Sequence, residues 1–280
     1  MNAMQIKQWR EIASMPEERI ALGEAALLIA TDAYPDLDVA GYLARLDDMT
    51  QTLERRLRAD ISTTDSLKIL NHYLFDELGY AGNTAEYYDP RNSYFNDVIE
   101  RRLGIPITLS VLYMEIGRRI GLKLSGVSFP GHFLVKCNVR EGAIVLDPYA
   151  KGASLGIKDL QAKLSTLAKG VELAPETVMP MLASAGHKEI LARMLRNLKA
   201  IFVQQHDHER ALGTVERLIA LAPEAAEEIR DRGVIYRELE CFRAALADFE
   251  HYLQLRPQAP DARAIEQHIA ELKVLSSRLN

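Results

Sequence analysis

A thirteen-residue pattern recurs in this chain at an offset of 34 positions, with no gap. ALGTVERLIALAP occupies 211–223 and ALADFEHYLQLRP occupies 245–257. Ala211 matches Ala245, Leu212 matches Leu246, Glu216 matches Glu250, Leu221 matches Leu255 and Pro223 matches Pro257. Apolar residues stand three and four apart in both copies, so each copy reads as an amphipathic helix stopped by its proline. A second helical stretch follows each, EAAEEIRDRGVIYRELE or DARAIEQHIAELKVL. One such helix pair cannot bury its apolar stripe alone and must stack on the next. The end of the chain is therefore constrained to an all-helical stack of hairpins.

Thirty-four residues is the period of tetratricopeptide helix pairs, whose concave surfaces hold peptides. Residues 185–280 are assigned to such a domain. The rest of the chain needs its own core, and 280 residues with 48% hydrophobic content allow two domains. Residues 1–78 are helical in pattern. MQIKQWREIASM and PEERIALGEAALLIATDAY keep the three- and four-residue spacing, with Pro16 in the first turn of the second helix. STTDSLKILNHYLFDELGY opens on polar caps and stops at Gly79.

From 79 to 165 the texture changes. GYAGNTAEYYDPRNSYFNDV is a polar, aromatic-rich loop, with Asn92 or Ser93 as the cap of a short helix that Gly104 breaks. PITLSVLYMEIGRRIG then predicts a helix with Pro106 in its first turn, ending at Gly121. LSGVSF, HFLVKC and AIVLD are strand candidates, and GASLG at 152–156 reads as a turn. A buried helix followed by an antiparallel meander is an α+β pattern. The expected first domain spans 1–180, with its α+β core at 79–165.

Charge and cysteine content narrow the function classes. A net charge of −5 and a pI near 5.9 argue against a general nucleic-acid surface, which needs clustered Lys and Arg. The two cysteines, Cys137 and Cys241, form neither a disulfide framework nor a zinc pattern, and Cys137 reads as a small buried residue. The longest apolar run, AALLIA at 25–30, is too short to span a bilayer, and no signal-peptide pattern opens the sequence. The expectation is a cytoplasmic chain with no cofactor and no metal. His206-Asp207-His208 reads as an inter-helix turn.

His132 follows a Pro-Gly turn, and Asp147 lies on the next strand. If the connecting loop has an even residue count, the two share a face, and a carboxylate beside an imidazole fixes its tautomer and supports its charged form. Cys137 stands an odd number of positions from His132 and points away. The loop residues Asn83, Tyr87, Tyr88, Asp89, Asn92 and Tyr94 are placed to line the same cleft, although turn and capping chemistry accounts for them equally well. Arg101 and Arg102 precede Gly104 and are candidates to meet an acidic group there.

GIPITLSVLYMEIGRRIGL, GVSFPGHFLVKC and IVLDPY together resemble the transglutaminase-like superfamily. With ALLIATDAYPDLD, GYAGNTAEYYDPRNSYFNDVIERRLGIP and the helical repeats, nearly the whole chain is similar to the bacterial SirB family. The resemblance implies a papain-like α+β core and a loose link to regulation of gene expression. Active members of the superfamily use a Cys-His-Asp triad, with the cysteine after Gly-x at the start of the central helix. On this chain the resemblance puts the histidine at His132, the aspartate at Asp147, the glycine at Gly104 and the nucleophile position at Pro106. Proline carries no nucleophile.

Ser110 shares the Pro106 face one turn deeper, about 5–6 Å away, but a helix hydroxyl ordinarily bonds the preceding turn. Two functions follow as expectations. The first is a non-catalytic protein that recognises a protein or peptide partner through its repeats, its cleft or both, with Asn83, Tyr88, Asn92 and Arg102 as candidate binding residues. The second is a cysteine-independent hydrolase or acyl transferase acting on amide bonds, with His132 as base.

Overall fold

The computed structural model describes residues 3–140, 142–167 and 174–278. They form two compact units: Pro16–Met194, and the segment up to Met15 together with the chain from Leu195 onward. In chain order the helices are α1 (Ala3–Ser14), α2 (Leu22–Ala30), α3 (Val39–Glu54), α4 (Thr63–Asn71), α5 (Phe95–Arg101), α6 (Pro106–Arg119), α7 (Ile157–Leu167), α8 (Pro175–Val178), α9 (His187–Gln204), α10 (His208–Leu221), α11 (Ala226–Glu238), α12 (Phe242–Leu255) and α13 (Ala262–Arg278). The strands are β1 (Ala81–Gly82), β2 (Leu103–Gly104), β3 (Leu124–Val127), β4 (Leu134–Val139), β5 (Gly142–Asp147) and β6 (Ala153–Leu155).

The first unit is built around α6, which is buried from Pro106 through Gly117. Its sequence is apolar on all sides, as a helix covered all round must be. Glu115, its buried charge, is neutralised by Arg119, with Nη1 at 2.5 Å from Oε2. Beside it runs the antiparallel sheet β3-β4-β5-β6. Val127, Phe129, Leu134 and Val145 from the sheet region pack with Leu160 and Leu164 of α7. The stretch read as a turn at 152–156 supplies β6, which pairs Ala153 with Asp147 and Leu155 with Val145. A second feature has no pattern of its own in the sequence: β1 and β2 form a short parallel pair, Gly82 opposite Gly104.

Local chemistry sets some of the helix boundaries. Asp38 caps α3 by accepting from Gly41 N, and Ser62 caps α4 by accepting from Asp65 N. The single helix expected from Pro16 is instead one turn, Glu17–Arg19, followed by extended Ile20 and then α2. Ile20 is buried, and its carbonyl accepts from His187 Nδ1 at 2.9 Å, so its backbone is committed elsewhere. Neither Asn92 nor Ser93 caps α5; Tyr94 stands at that position and makes no side-chain capping bond. The helix ends at Arg102, whose φ of 59° is left-handed, two residues before Gly104.

In the second unit the 34-residue offset separates α10 from α12, and both repeat alanines, Ala211 and Ala245, are fully buried. Phe249 of α12 fills the space over Gly233 of α11, where a Cβ would stand 2.8 Å from the ring. Small-against-large packing of this kind fixes the helix spacing within a hairpin. α1 belongs to this unit, whereas the sequence pattern grouped it with the first domain. Trp9 Nε1 donates to Arg217 O at 3.0 Å, and the Arg217 guanidinium lies 5.2 Å from the indole centroid.

Candidate functional site

Asp147 and His132 meet through hairpin register. Val139 pairs with Gly142 and Val135 with Leu146, so the two-residue connection keeps both side chains on one face. His132 lies just before β4, in a Phe129–His132 turn whose Pro130-Gly131 corner has Gly131 at φ 66°. Glycine suits that corner because the third residue of such a turn needs positive φ. His132 Nε2 then stands 2.8 Å from Asp147 Oδ1. Oδ1 also accepts from the backbone N–H groups of Tyr149 at 3.1 Å and Ala150 at 3.3 Å. Lys163 of α7 places Nζ 3.1 Å from Oδ2.

The Asp147 side chain is 1% exposed and that of His132 15%. Burial pushes the Asp147 carboxyl up, but the hydrogen bonds and charges of His132 and Lys163 more than offset it and hold the group below the usual carboxylate range. Tyr149 stands edge-on to the imidazole, with centroids 5.9 Å apart. Its ring covers Gly82, where any Cβ would overlap it. β1 thereby links the His132 region to β2 and to the first turn of α6, since Gly82 pairs with Gly104 and Asn83 N donates to Gly104 O at 2.9 Å.

Arg193 of α9 secures the histidine turn from outside. It donates to Ser128 Oγ and His132 O, both at 2.8 Å, and its guanidinium lies 5.5 Å from the Phe133 centroid. Lys163 and Arg193 had no motif to mark them, and Tyr149, the last residue of IVLDPY, was not singled out. Their positions in sequence relative to His132 gave no signal.

At the start of α6, Pro106 occupies the first helical position and is buried. The two nearby hydroxyls are fully buried and bonded to backbone. Ser110 Oγ donates to Pro106 O at 2.7 Å, and Thr108 Oγ donates to Asn92 O at 2.8 Å while accepting from Ile105 N at 3.1 Å. Cys137 is buried, and burial pushes its thiol up.

The loop residues divide into two groups. Asn83 and Asn92 are buried and serve each other: Asn83 Nδ2 donates to Asn92 Oδ1 at 3.0 Å, and Asn92 Nδ2 donates to Glu86 O at 2.6 Å. Arg101 turns toward this loop, 3.4 Å from Asp89, whereas Arg102 is exposed and donates to Leu78 O at 2.8 Å. Tyr87 and Tyr88 remain at the surface, 41% and 67% exposed, with rings 5.3 Å apart. Burial, and next the neighbouring Tyr149, push the Tyr87 phenol up.

Among the described residues no group of three or more His, Cys, Asp and Glu stands close enough to hold a metal ion. Asp207, between His206 and His208, caps α10 and bonds Arg210. Among the same residues no helix is long and apolar enough to cross a membrane.

The fold and this geometry define a transglutaminase-like domain followed by tetratricopeptide repeats. The profile of the Transglutaminase-like superfamily matches residues 40–196, and that of a Tetratricopeptide repeat matches 198–270. The chain belongs to the UPF0162 protein family. It is 39% identical over 268 residues to the UPF0162 protein of Xylella fastidiosa strain Temecula1, covering 94% of both chains. It is 31% identical to that of Pseudomonas aeruginosa over 94% of this chain and 95% of the relative. A shorter likeness, 33% identity over 143 residues, is to human F-box only protein 21, covering 48% of this chain and 21% of that protein.

Proposed function

We propose that this protein recognises a protein or peptide partner and does so without triad catalysis, in keeping with the SirB likeness and its regulatory association. The carrying observation is that Pro106 is the N1 residue of α6, the position to which the resemblance assigns the thiol of the superfamily's active members. A helix N-terminus lowers a thiol pKa, which is why that position suits a nucleophile; proline brings neither thiol nor backbone N–H. The hydroxyls of Thr108 and Ser110 are bonded to backbone, which supports their reading as structural groups. His132 and Asp147 act as a strut that ties the turn before β4 to the end of β5. The tetratricopeptide repeats support a protein-interaction role for the chain. Asn83, Asn92 and Arg102 hold their own loops, and Tyr88 is the exposed candidate contact.

The alternative, a hydrolase or acyl transferase with His132 as base and Ser110 or water as nucleophile, is favoured only by the His132–Asp147 pairing itself. Cross-linking mass spectrometry separates the two. The expected result is one partner captured equally by wild type and His132→Ala, and lost when exposed Arg263 and Glu266 of α13 are charge-reversed. Turnover of an amide substrate by wild type but not by His132→Ala would establish the alternative.

A further inference from the structure

A groove of about 700 Å³ opens beside the sheet, toward the turn between β4 and β5. The His132–Asp147 contact lies at the other end of that hairpin. Val145 of β5, Leu155 of β6, and Ile157 and Leu160 of α7 line the groove, with Met179 and Leu182 of the 3₁₀ helix Met179–Leu182. Met179 is 61% exposed, so the groove is open to water there. Lys136 is the one charged side chain among the described residues that line it. It stands opposite Val145 in the sheet, half-buried, and its Nζ donates to Leu182 O at 2.8 Å. Asn138, two residues on and opposite Ala143, brings a side-chain amide to the same face. We infer that this groove binds a medium-chain aliphatic carboxylate, with its head on Lys136 and Asn138 and its tail along the apolar lining. The inference goes beyond the recognition reading and does not depend on it.

A lysine beside apolar surface ordinarily lays its stem along that surface and carries the ammonium out to water. Here the ammonium is turned to a backbone carbonyl instead. It has three N–H donors, and Leu182 O takes one of them. Among the described residues no carboxylate pairs with Lys136. Asp159, at the start of α7, is taken up by Gly156 N at 2.8 Å. A neutral apolar ligand would leave the ammonium without a counter-charge in a groove it had dried, and a cation would be repelled. One carboxylate supplies one negative charge, with oxygens for the remaining N–H groups and for the Asn138 amide. Leu155, Ile157 and Leu182 are only partly buried against the core, so a tail laid on them removes further apolar surface from water. The volume falls within the range of about 300–1,000 Å³ usual for small-molecule sites.

The test is methyl NMR on the full chain, titrated with decanoate at neutral pH below the concentration at which the probe forms micelles. The expected result is saturable shifts at the methyl groups of Val145, Leu155 and Met179. Decyltrimethylammonium, the same tail on a cationic head, should bind at least about tenfold more weakly. Lys136→Met should weaken decanoate at least about tenfold by removing charge-assisted bonds, whereas Lys136→Arg should stay within about threefold of wild type. Met179→Asp sets a like charge at an exposed position and should also weaken decanoate about tenfold, which tests the site if Lys136→Met fails to fold. No saturable shift in wild type, equal binding of the two probes, or wild-type binding in both Lys136→Met and Met179→Asp would overturn the inference. An apolar peptide with a free C-terminus that displaces decanoate at lower concentration than decanoate itself would overturn it as well, by making the occupant a peptide end.

Discussion

Removing the Asp147 side chain should cost more than any other single change at the site. In Asp147→Ala, His132 Nε2–H and the N–H groups of Tyr149 and Ala150 lose their acceptor, and Lys163 loses its counter-charge. Breaking a buried charge pair from one side costs about 3–5 kcal/mol. Lys163 is partly exposed and can turn to water, which places the expectation near the lower end, about 3 kcal/mol. That corresponds to a rise of about two powers of ten in the opening of the β4–β5 hairpin. Hydrogen exchange of peptides covering 134–147 reads it directly. Asp147→Asn keeps an oxygen for the three donors but loses the charge and sets an amide NH2 where Oδ2 faces Lys163, so its exchange should rise by about tenfold. Exchange in Asp147→Ala within threefold of wild type, or equal in the two variants, would refute the view of Asp147 as the hub of this loop.

Three other outcomes follow from the same contacts. The Asp147 carboxyl is held below its ordinary value in the fold, so it contributes stability above the unfolded value of about 3.9 that is lost as pH falls through the lower folded value. Urea midpoints of wild type and Asp147→Asn should therefore differ fully above about pH 5 and converge in stronger acid; a constant gap would contradict this. Arg193→Met removes two 2.8 Å bonds to the 128–132 turn and should destabilise that turn by about 2 kcal/mol, read as faster exchange at Phe133. Gly82→Ala would overlap the Tyr149 ring, so the ring should leave His132, read as a changed ring-current shift on the imidazole protons.

What could be read beforehand depended on whether the signal was local. The repeat helices follow from a 34-residue period, and α6 follows from an apolar run opened by Pro106. The His132–Asp147 contact follows from strand parity, once the hairpin connection is even. Asn92 misled because its residue type suits a cap, yet its side chain bonds Glu86 O and Tyr87 O inside the loop. Lys163 and Arg193 come from helices far along the chain, and α1 joins the second unit through Trp9. Side chains delivered by tertiary packing leave no spacing to read.

The measurement closest to the central claim introduces a thiol by Pro106→Cys, in a Cys241→Ser background because Cys241 is the exposed native cysteine. If position 106 faces His132 at a helix N-terminus, iodoacetamide should alkylate the new thiol near pH 6 at least about tenfold faster than an ordinary exposed thiol. His132→Ala should abolish that advantage. Alkylation at an ordinary rate, unchanged by His132→Ala, would mean that position 106 is not the vacant nucleophile position and would contradict the account.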